Sequence, residues 1–313
     1  MNTSGIRAPW LRRTWLFGPG ANLNAHQAMT ASGADVLIQD LEDFTPPPRR
    51  AEARVLAAGL YGQWRAAGAI CCARINALEG EGALDLDAVI AAGASIVAYP
   101  KAETAVQMRA LDAAIAVHER QHGINVGSIE ILPVCETAKG VVDVRLIAAA
   151  SPRIRCALLG AEDLAADLGA ERGRDAIELD HARRRFIVEC RAAQIEPVDA
   201  PYTFSDVVGA INETRYARRL GYRSKSLVLP DHVIAVRDAL TPDAREIRNA
   251  SAIVVAFEAA RSRGEERALV DGLWVEVPAY LNAQRLLARA EALAAAANTC
   301  SPQCPRDDED GCH

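Results

Sequence analysis

The sequence predicts an α/β protein folded as a (β/α)8 (TIM) barrel with a C-terminal helical extension. Three observations lead there. Eight short β-rich runs alternate with amphipathic helical stretches, which implies a parallel sheet, and eight such units imply closure. No two runs are joined by a hairpin signal. The Gly-x-Gly-x-x-Gly turn of an open nucleotide-binding sheet is missing, because Gly18-Pro19-Gly20 is followed by Ala21, Asn22 and Leu23.

TWLFGPG (14–20) reads as the first strand, ending in a Gly-Pro-Gly turn, and the helix after it closes on Gly33, the position where helices favour glycine. DVLIQDLED (35–43) is strand two, followed by a helix from Arg49 to Gly68. AICCARINA (69–77) is strand three and SIVAYPKA (95–102) strand four, with a short helix between them. A long helix follows in TAVQMRALDAAIAVHERQHG, with apolar residues at three- and four-residue steps. SIEILPVCET (128–137) is strand five, AKGVVDVRLIAAAS one helix, and IRCALLGAED (154–163) strand six. LDHARRRFIVECRAAQ is helical, IEPVDAPYTF is strand seven, DVVGAINETRYARRLG is helical, and KSLVLP (225–230) is strand eight. The last barrel helix is expected from Pro242 to about Arg263. Residues 12–265 are thus read as the barrel, 266–298 as an extension packing on the barrel side or on a neighbouring subunit, and 299–313 as a disordered Pro/Asp-rich tail.

The chain of 313 residues is half hydrophobic and carries a net charge of −6. That balance lacks the basic face of a nucleic-acid binder. No apolar run approaches the roughly 20 residues that span a bilayer, and the N-terminus lacks the apolar core of a signal peptide. Cys71, Cys72, Cys135, Cys156 and Cys190 fall in apolar or helical segments, where reduced cysteine acts as a small hydrophobe. A cytoplasmic location is the expectation. Cys300, Cys304 and Cys312 lie in the tail, and a zinc site there is the alternative to disorder.

Barrel active sites lie where the strands end at the C-terminal face. Polar residues gather at those ends: Gln39 to Asp43 at the end of strand two, Arg74 and Asn76 in strand three, Lys101 in strand four with Glu103 just beyond it, Glu136 near the end of strand five, and Glu162 and Asp163 at the end of strand six. Carboxylates at the ends of adjacent strands can share one hard cation. Mg²⁺ takes one or two carboxylates plus water and substrate oxygens, and no histidine cluster or cysteine pair competes there. The alternative is that Glu136 and Asp163 pair with arginines or cap helices. Arg74, embedded in an apolar strand, needs a partner: either an ion pair with Asp40 or Glu42, or an anion or oxyanion in the reaction. Lys101 is either a solvated or ion-paired lysine or a Schiff-base nucleophile, and the nearby carboxylates favour the metal route. The histidines carry little: His118 and His122 lie at a charged helix end, and His232 follows strand eight.

Seven segments in order between about Arg12 and Ala279, RRTWLFGPG, SGADVLIQDLEDFTPPPRRAEAR, ARIN, YPKAE, ILPVCETAKGV, SPRIRCALLGAEDLAADLGA and VDGLWVEVPA, resemble the citrate lyase beta-chain and malyl-CoA lyase group of the HpcH/HpaI aldolase superfamily. ETAKG and GAEDLAADLG are the specific ones. The resemblance implies a Claisen-type carbon–carbon lyase acting on a CoA thioester and a 2-oxo acid. In it Glu136 and Asp163 match the Mg²⁺ ligands (Mn²⁺ being a possible substitute), and Arg74 matches the arginine on the oxo-acid oxygen. Asp40, Glu42 and Asp43 match the acidic strand-two end near the metal, Arg50 and Arg54 the vicinity of CoA, and Lys101 the strand-four lysine. It also implies a homotrimer or hexamer whose C-terminal segment covers a neighbour's site. Two positions depart from the pattern. Glu276 in WVEVP stands where the family has the aspartate proposed as acid/base, one methylene shorter, and Leu229 stands where the family has a histidine. A CoA-independent aldolase on hydroxy-oxo acids, a malyl-CoA thioesterase and a non-catalytic metabolite-binding barrel remain the alternative readings.

Overall fold

The computed structural model describes residues 6–299, so the expectations for the tail, including its cysteines, lie outside the described residues. The chain separates into two compact units, one ending at Thr241 and the other starting at Pro242.

The first unit is a closed barrel of eight parallel strands in sequential order. Its elements are β1 (Thr14–Pro19), α1 (Leu23–Ala31), β2 (Val36–Asp40), α2 (Arg50–Ala66), β3 (Ile70–Arg74), α3 (Gly82–Ala91), β4 (Ile96–Tyr99), α4 (Ala105–Gln121) and β5 (Glu130–Cys135). They continue with α5 (Ala138–Val142), α6 (Val144–Ala148), β6 (Cys156–Leu159), α7 (Glu162–Asp167), α8 (Asp180–Ala192), β7 (Glu196–Asp199), α9 (Val207–Leu220), β8 (Ser224–Leu227) and α10 (Val233–Leu240). The ring closes where β1 pairs with β8, Trp15 opposite Ser226.

Successive strand side chains point to opposite faces, so each strand feeds two cores. Trp15, Phe17, Val36, Ile38, Cys72, Leu132, Val134 and Leu158 fill the barrel interior. The intervening residues, such as Leu16, Leu37, Cys71, Ala73 and Val97, pack outward against the helices in a larger core with Trp64, Met108 and Phe186. The five described cysteines are buried and unpaired, and burial pushes the Cys71 thiol up to about 11.

Buried ion pairs tie the layers together. Arg12, fully buried, donates to both carboxylate oxygens of Glu130 at 2.6 and 2.9 Å. Asp199 on β7 accepts from Arg183 of α8 at 2.9 and 2.7 Å and from the fully buried Lys225 of β8 at 2.7 Å.

Three differences from the sequence reading have local causes. The helix expected over 138–151 is two helices broken at Asp143, whose N–H closes α5 on Lys139 while its carbonyl accepts from Leu146 and Ile147 to open α6. The helix that follows β8 is α10, not the one from Pro242: Val233, Val236 and Leu240 are buried at three- and four-residue steps, in a stretch to which the sequence reading assigns no element. The six-residue α7 is too short to display a period. The second unit holds α11 (Ala244–Ser262), a two-stranded antiparallel ribbon of β9 (Ala268–Val270) and β10 (Leu273–Val275), and α12 (Val277–Thr299). Its own small core is Phe257, Ala260, Ala268 and Val275, with Tyr280 stacked on Phe257 at 4.7 Å. No helix among the described residues is long and apolar enough to cross a membrane.

Candidate active site at the barrel mouth

Register builds the site. Parallel pairing of β2 with β3 sets Asp40 opposite Arg74, and the guanidinium grips the carboxylate with two hydrogen bonds, Nε at 2.9 Å to Oδ1 and a second from the terminal nitrogen to Oδ2. Asp40 also accepts from the backbone N–H of Glu42 at 2.9 Å and of Phe44 at 3.3 Å, so one buried carboxylate folds the loop after β2 and fixes the arginine. The other terminal nitrogen of Arg74 faces Glu42 at 3.1 Å and Glu136 at 3.8 Å. Burial works against a charge on Arg74, but Asp40, Glu42 and Glu136 outweigh it and hold the guanidinium protonated. Phe17 and Phe44 flank it at 5.2 and 5.8 Å.

Glu136 directly follows β5, and Gly160 directly follows β6 beside it, its N–H donating to Cys135 at 3.0 Å. A Cβ at residue 160 would stand 2.4 Å from the Glu136 Cβ, so the glycine leaves room for that side chain. Glu136 is buried, its side chain 4% exposed, and burial pushes its carboxyl up to about 7, against the pull of Arg74. Its Oε1 accepts from the N–H of Lys101 at 2.9 Å. Lys101 adopts φ +46°, a left-handed conformation unusual for lysine. Its Nζ lies 3.1 Å from Glu42 and 4.0 Å from Asp163. Asp163, in the first turn of α7, is 40% exposed.

Arg74, Glu136 and Asp163 line one cavity of about 180 Å³ with Phe17, Phe44 and Thr203. Its carboxylates offer oxygen donors only, and with open space between them this set fits a hard divalent cation such as Mg²⁺ that completes its shell with water and substrate oxygens. Asp40 does not line the cavity; it lies beneath Arg74. Glu42 sits between Arg74 and Lys101. A second cavity of about 300 Å³ adjoins at Asp43 and is lined by Glu42, Arg50, Asn76 and Lys101. Arg54 is engaged with Glu81 at 2.8 Å and Asp85 at 2.7 Å. Glu276 is exposed between β10 and α12, in the second unit. Sequence reasoning passed over Gly160, Phe17 and Thr203. The Thr203 hydroxyl donates to Glu162 at 2.7 Å, a contact between the loop after β7 and the start of α7 that no local pattern announces.

Residues 13–230 match the family described as HpcH/HpaI aldolase/citrate lyase. The chain belongs to that family. It is a carbon–carbon lyase, in agreement with the names of its relatives. It is 33% identical over 284 residues to citrate lyase subunit beta of Leuconostoc mesenteroides subsp. cremoris, covering 90% of this chain and 94% of that protein. It is 29% identical over 305 residues to the L-malyl-CoA/beta-methylmalyl-CoA lyase of Cereibacter sphaeroides, covering 90% and 96%. Among solved structures it resembles CitE from Mycobacterium tuberculosis in complex with magnesium, acetoacetate and coenzyme A, with a TM-score of 0.72 and 27% identity over 89% of this chain and 98% of that one.

Proposed function

We propose that this lyase cleaves, reversibly, a 3-hydroxyacyl-CoA of the malyl-, citramalyl- or citryl-CoA type into an acyl-CoA and a 2-oxo acid, with Mg²⁺ held by Glu136 and Asp163. The observation that carries the proposal is the meeting of those two carboxylates with the charged Arg74 in one cavity. The named relatives that act on malyl-CoA, and the neighbour holding magnesium and coenzyme A, support the substrate class.

A bound Mg²⁺ would supply Lewis acidity at the oxygen where negative charge develops. The protein's own groups do the rest. Arg74 donates to the substrate's hydroxyl oxygen as that oxygen releases its proton to solvent and the oxo-acid carbonyl forms. The carbon–carbon bond breaks, its electron pair passes onto the thioester as an enolate, and a proton delivered to carbon completes the acyl-CoA. Asp40 is a positioning residue that holds the guanidinium and the β2 loop. Phe17 and Phe44 shield the arginine from water. Glu42, Lys101 and Arg50 line the second cavity, in which the CoA moiety is proposed to lie, and Glu42 and Lys101 reach Arg74 and Asp163 of the first. Arg54 acts by fixing Glu81 at its rim.

The proton donor is proposed to be Glu276 of a neighbouring subunit in a trimer or hexamer. Light scattering would then report an oligomer. Glu276→Gln would lower kcat while leaving KM for the thioester near its original value, whereas an unchanged kcat removes Glu276 from the reaction. Oxo-acid release from a panel of hydroxyacyl-CoAs tests the reaction itself. Thiol release instead of oxo-acid release would reassign it to thioester hydrolysis.

A further inference from the structure

A second group of metal-ligating side chains lies on the outer helical layer. His118 occupies the last turn of α4 and His122 its C-cap, four residues on and therefore on the same face. Their rings lie 15° from parallel with centroids 6.4 Å apart. Asp87 reaches them from α3: its Oδ1 is 3.0 Å from His122 Nε2 and 3.2 Å from His118 Nδ1. One ligand atom from each of the three residues can be chosen so that all lie within 4.8 Å of one another. Two ligands bound at about 2.0 Å to one tetrahedral ion stand about 3.3 Å apart, close to the two Asp87–histidine spacings.

The His118 Nδ1 atom is out of contact with solvent and makes no hydrogen bond, although Asp87 Oδ1 stands 3.2 Å away. A buried polar atom without a partner is costly, and a cation among the three residues would satisfy it. The Asp87 carboxylate is 58% exposed and the two histidine side chains 17% and 29%, so the group opens to solvent on the Asp87 side.

We propose that Asp87, His118 and His122 bind a borderline transition-metal ion of the Zn²⁺ or Co²⁺ class, and that this ion staples α3 to α4. Two imidazole nitrogens and one carboxylate oxygen suit such ions, while Mg²⁺ prefers oxygen throughout. The site is separate from the cavity at the mouth. The C-terminal end of α4 leads back to the start of β5, at the opposite end of the barrel from Glu136 and Asp163. It therefore does not depend on the proposed reaction.

The test titrates the full-length protein with Zn²⁺ in saturating Mg²⁺, with Cys300, Cys304 and Cys312 replaced by serine to keep tail thiols from competing. The expected result is a single equivalent bound with micromolar or tighter affinity, and a rise in Tm on the order of 5 °C at a hundredfold excess over Kd. Co²⁺ would give the visible absorption of a low-symmetry site. His118→Asn and His122→Asn should each lose that equivalent and the Tm rise while keeping the metal-free Tm and the lyase rate, and Glu136→Gln should keep the equivalent. Asp87→Asn provides an independent check of the carboxylate. Retention of the equivalent in either histidine variant, or binding only at millimolar Zn²⁺, overturns the proposal.

Discussion

Gly160 shows how much the site owes to one missing atom. Because a Cβ there would come within 2.4 Å of the Glu136 Cβ, Gly160→Ala should displace the carboxylate while leaving the fold intact. Displacements of about 1 Å can cost on the order of 10²-fold in rate, so kcat/KM should fall by about that factor with an unchanged circular dichroism spectrum. Arg74→Lys should be as damaging, because an ammonium cannot reproduce the two-pronged grip on Asp40 and reach toward Glu136 at once. A loss of about 10²–10³-fold in kcat is expected from removing a donor of this kind, and steady-state kinetics check it. At this scale the sequence is informative about charged residues and silent about the rest. Arg74, Glu136 and Lys101 stand out as charges after apolar strands. Asp40 reads in the sequence both as an ion-pair partner of Arg74 and as a group for the chemistry; it pairs with Arg74 and lies fully buried under it, because strand register, which no single segment displays, sets it opposite the arginine.

Helices and strands are joined by charge as well as by apolar packing. Asp199 lies between Arg183 of α8 and Lys225 of β8, all three buried. Asp199→Ala would leave the buried Arg183 and Lys225 with Glu213 as their shared carboxylate partner, at 3.9 and 2.7 Å, and losing the fully buried carboxylate should destabilise the protein by up to about 3–5 kcal/mol, measurable as a lowered midpoint in urea. Trp64, fully buried on α2 and stacked on Tyr61 at 5.5 Å, should cost about 3–5 kcal/mol on truncation to alanine. The eight strands and most helices were legible because their apolar residues recur at steps of two or of three and four. Strand ends were overestimated wherever acidic residues followed, as in DVLIQDLED, of which only Val36–Asp40 pair as strand. The ion-paired layer was not legible, since Arg183, Asp199 and Lys225 meet only after the barrel closes.

For the whole molecule, the strand–helix alternation that closes β1 onto β8 brings the ends of β2, β3, β5 and β6 to one mouth. The division at Thr241 was not visible in the sequence, because α11 has the length and period of a barrel helix while packing instead with α12 and β9. Carbon–carbon cleavage is proposed to depend on a metal held by Glu136 and Asp163. The most direct test follows oxo-acid formation from malyl-CoA and related esters, trapped as a hydrazone, before EDTA, after EDTA and after restoring Mg²⁺. Chelation should abolish the rate, Mg²⁺ should restore it, and neither Glu136→Gln nor Asp163→Asn should recover with added metal. Full turnover in EDTA, or wild-type rates in both variants, would contradict that dependence.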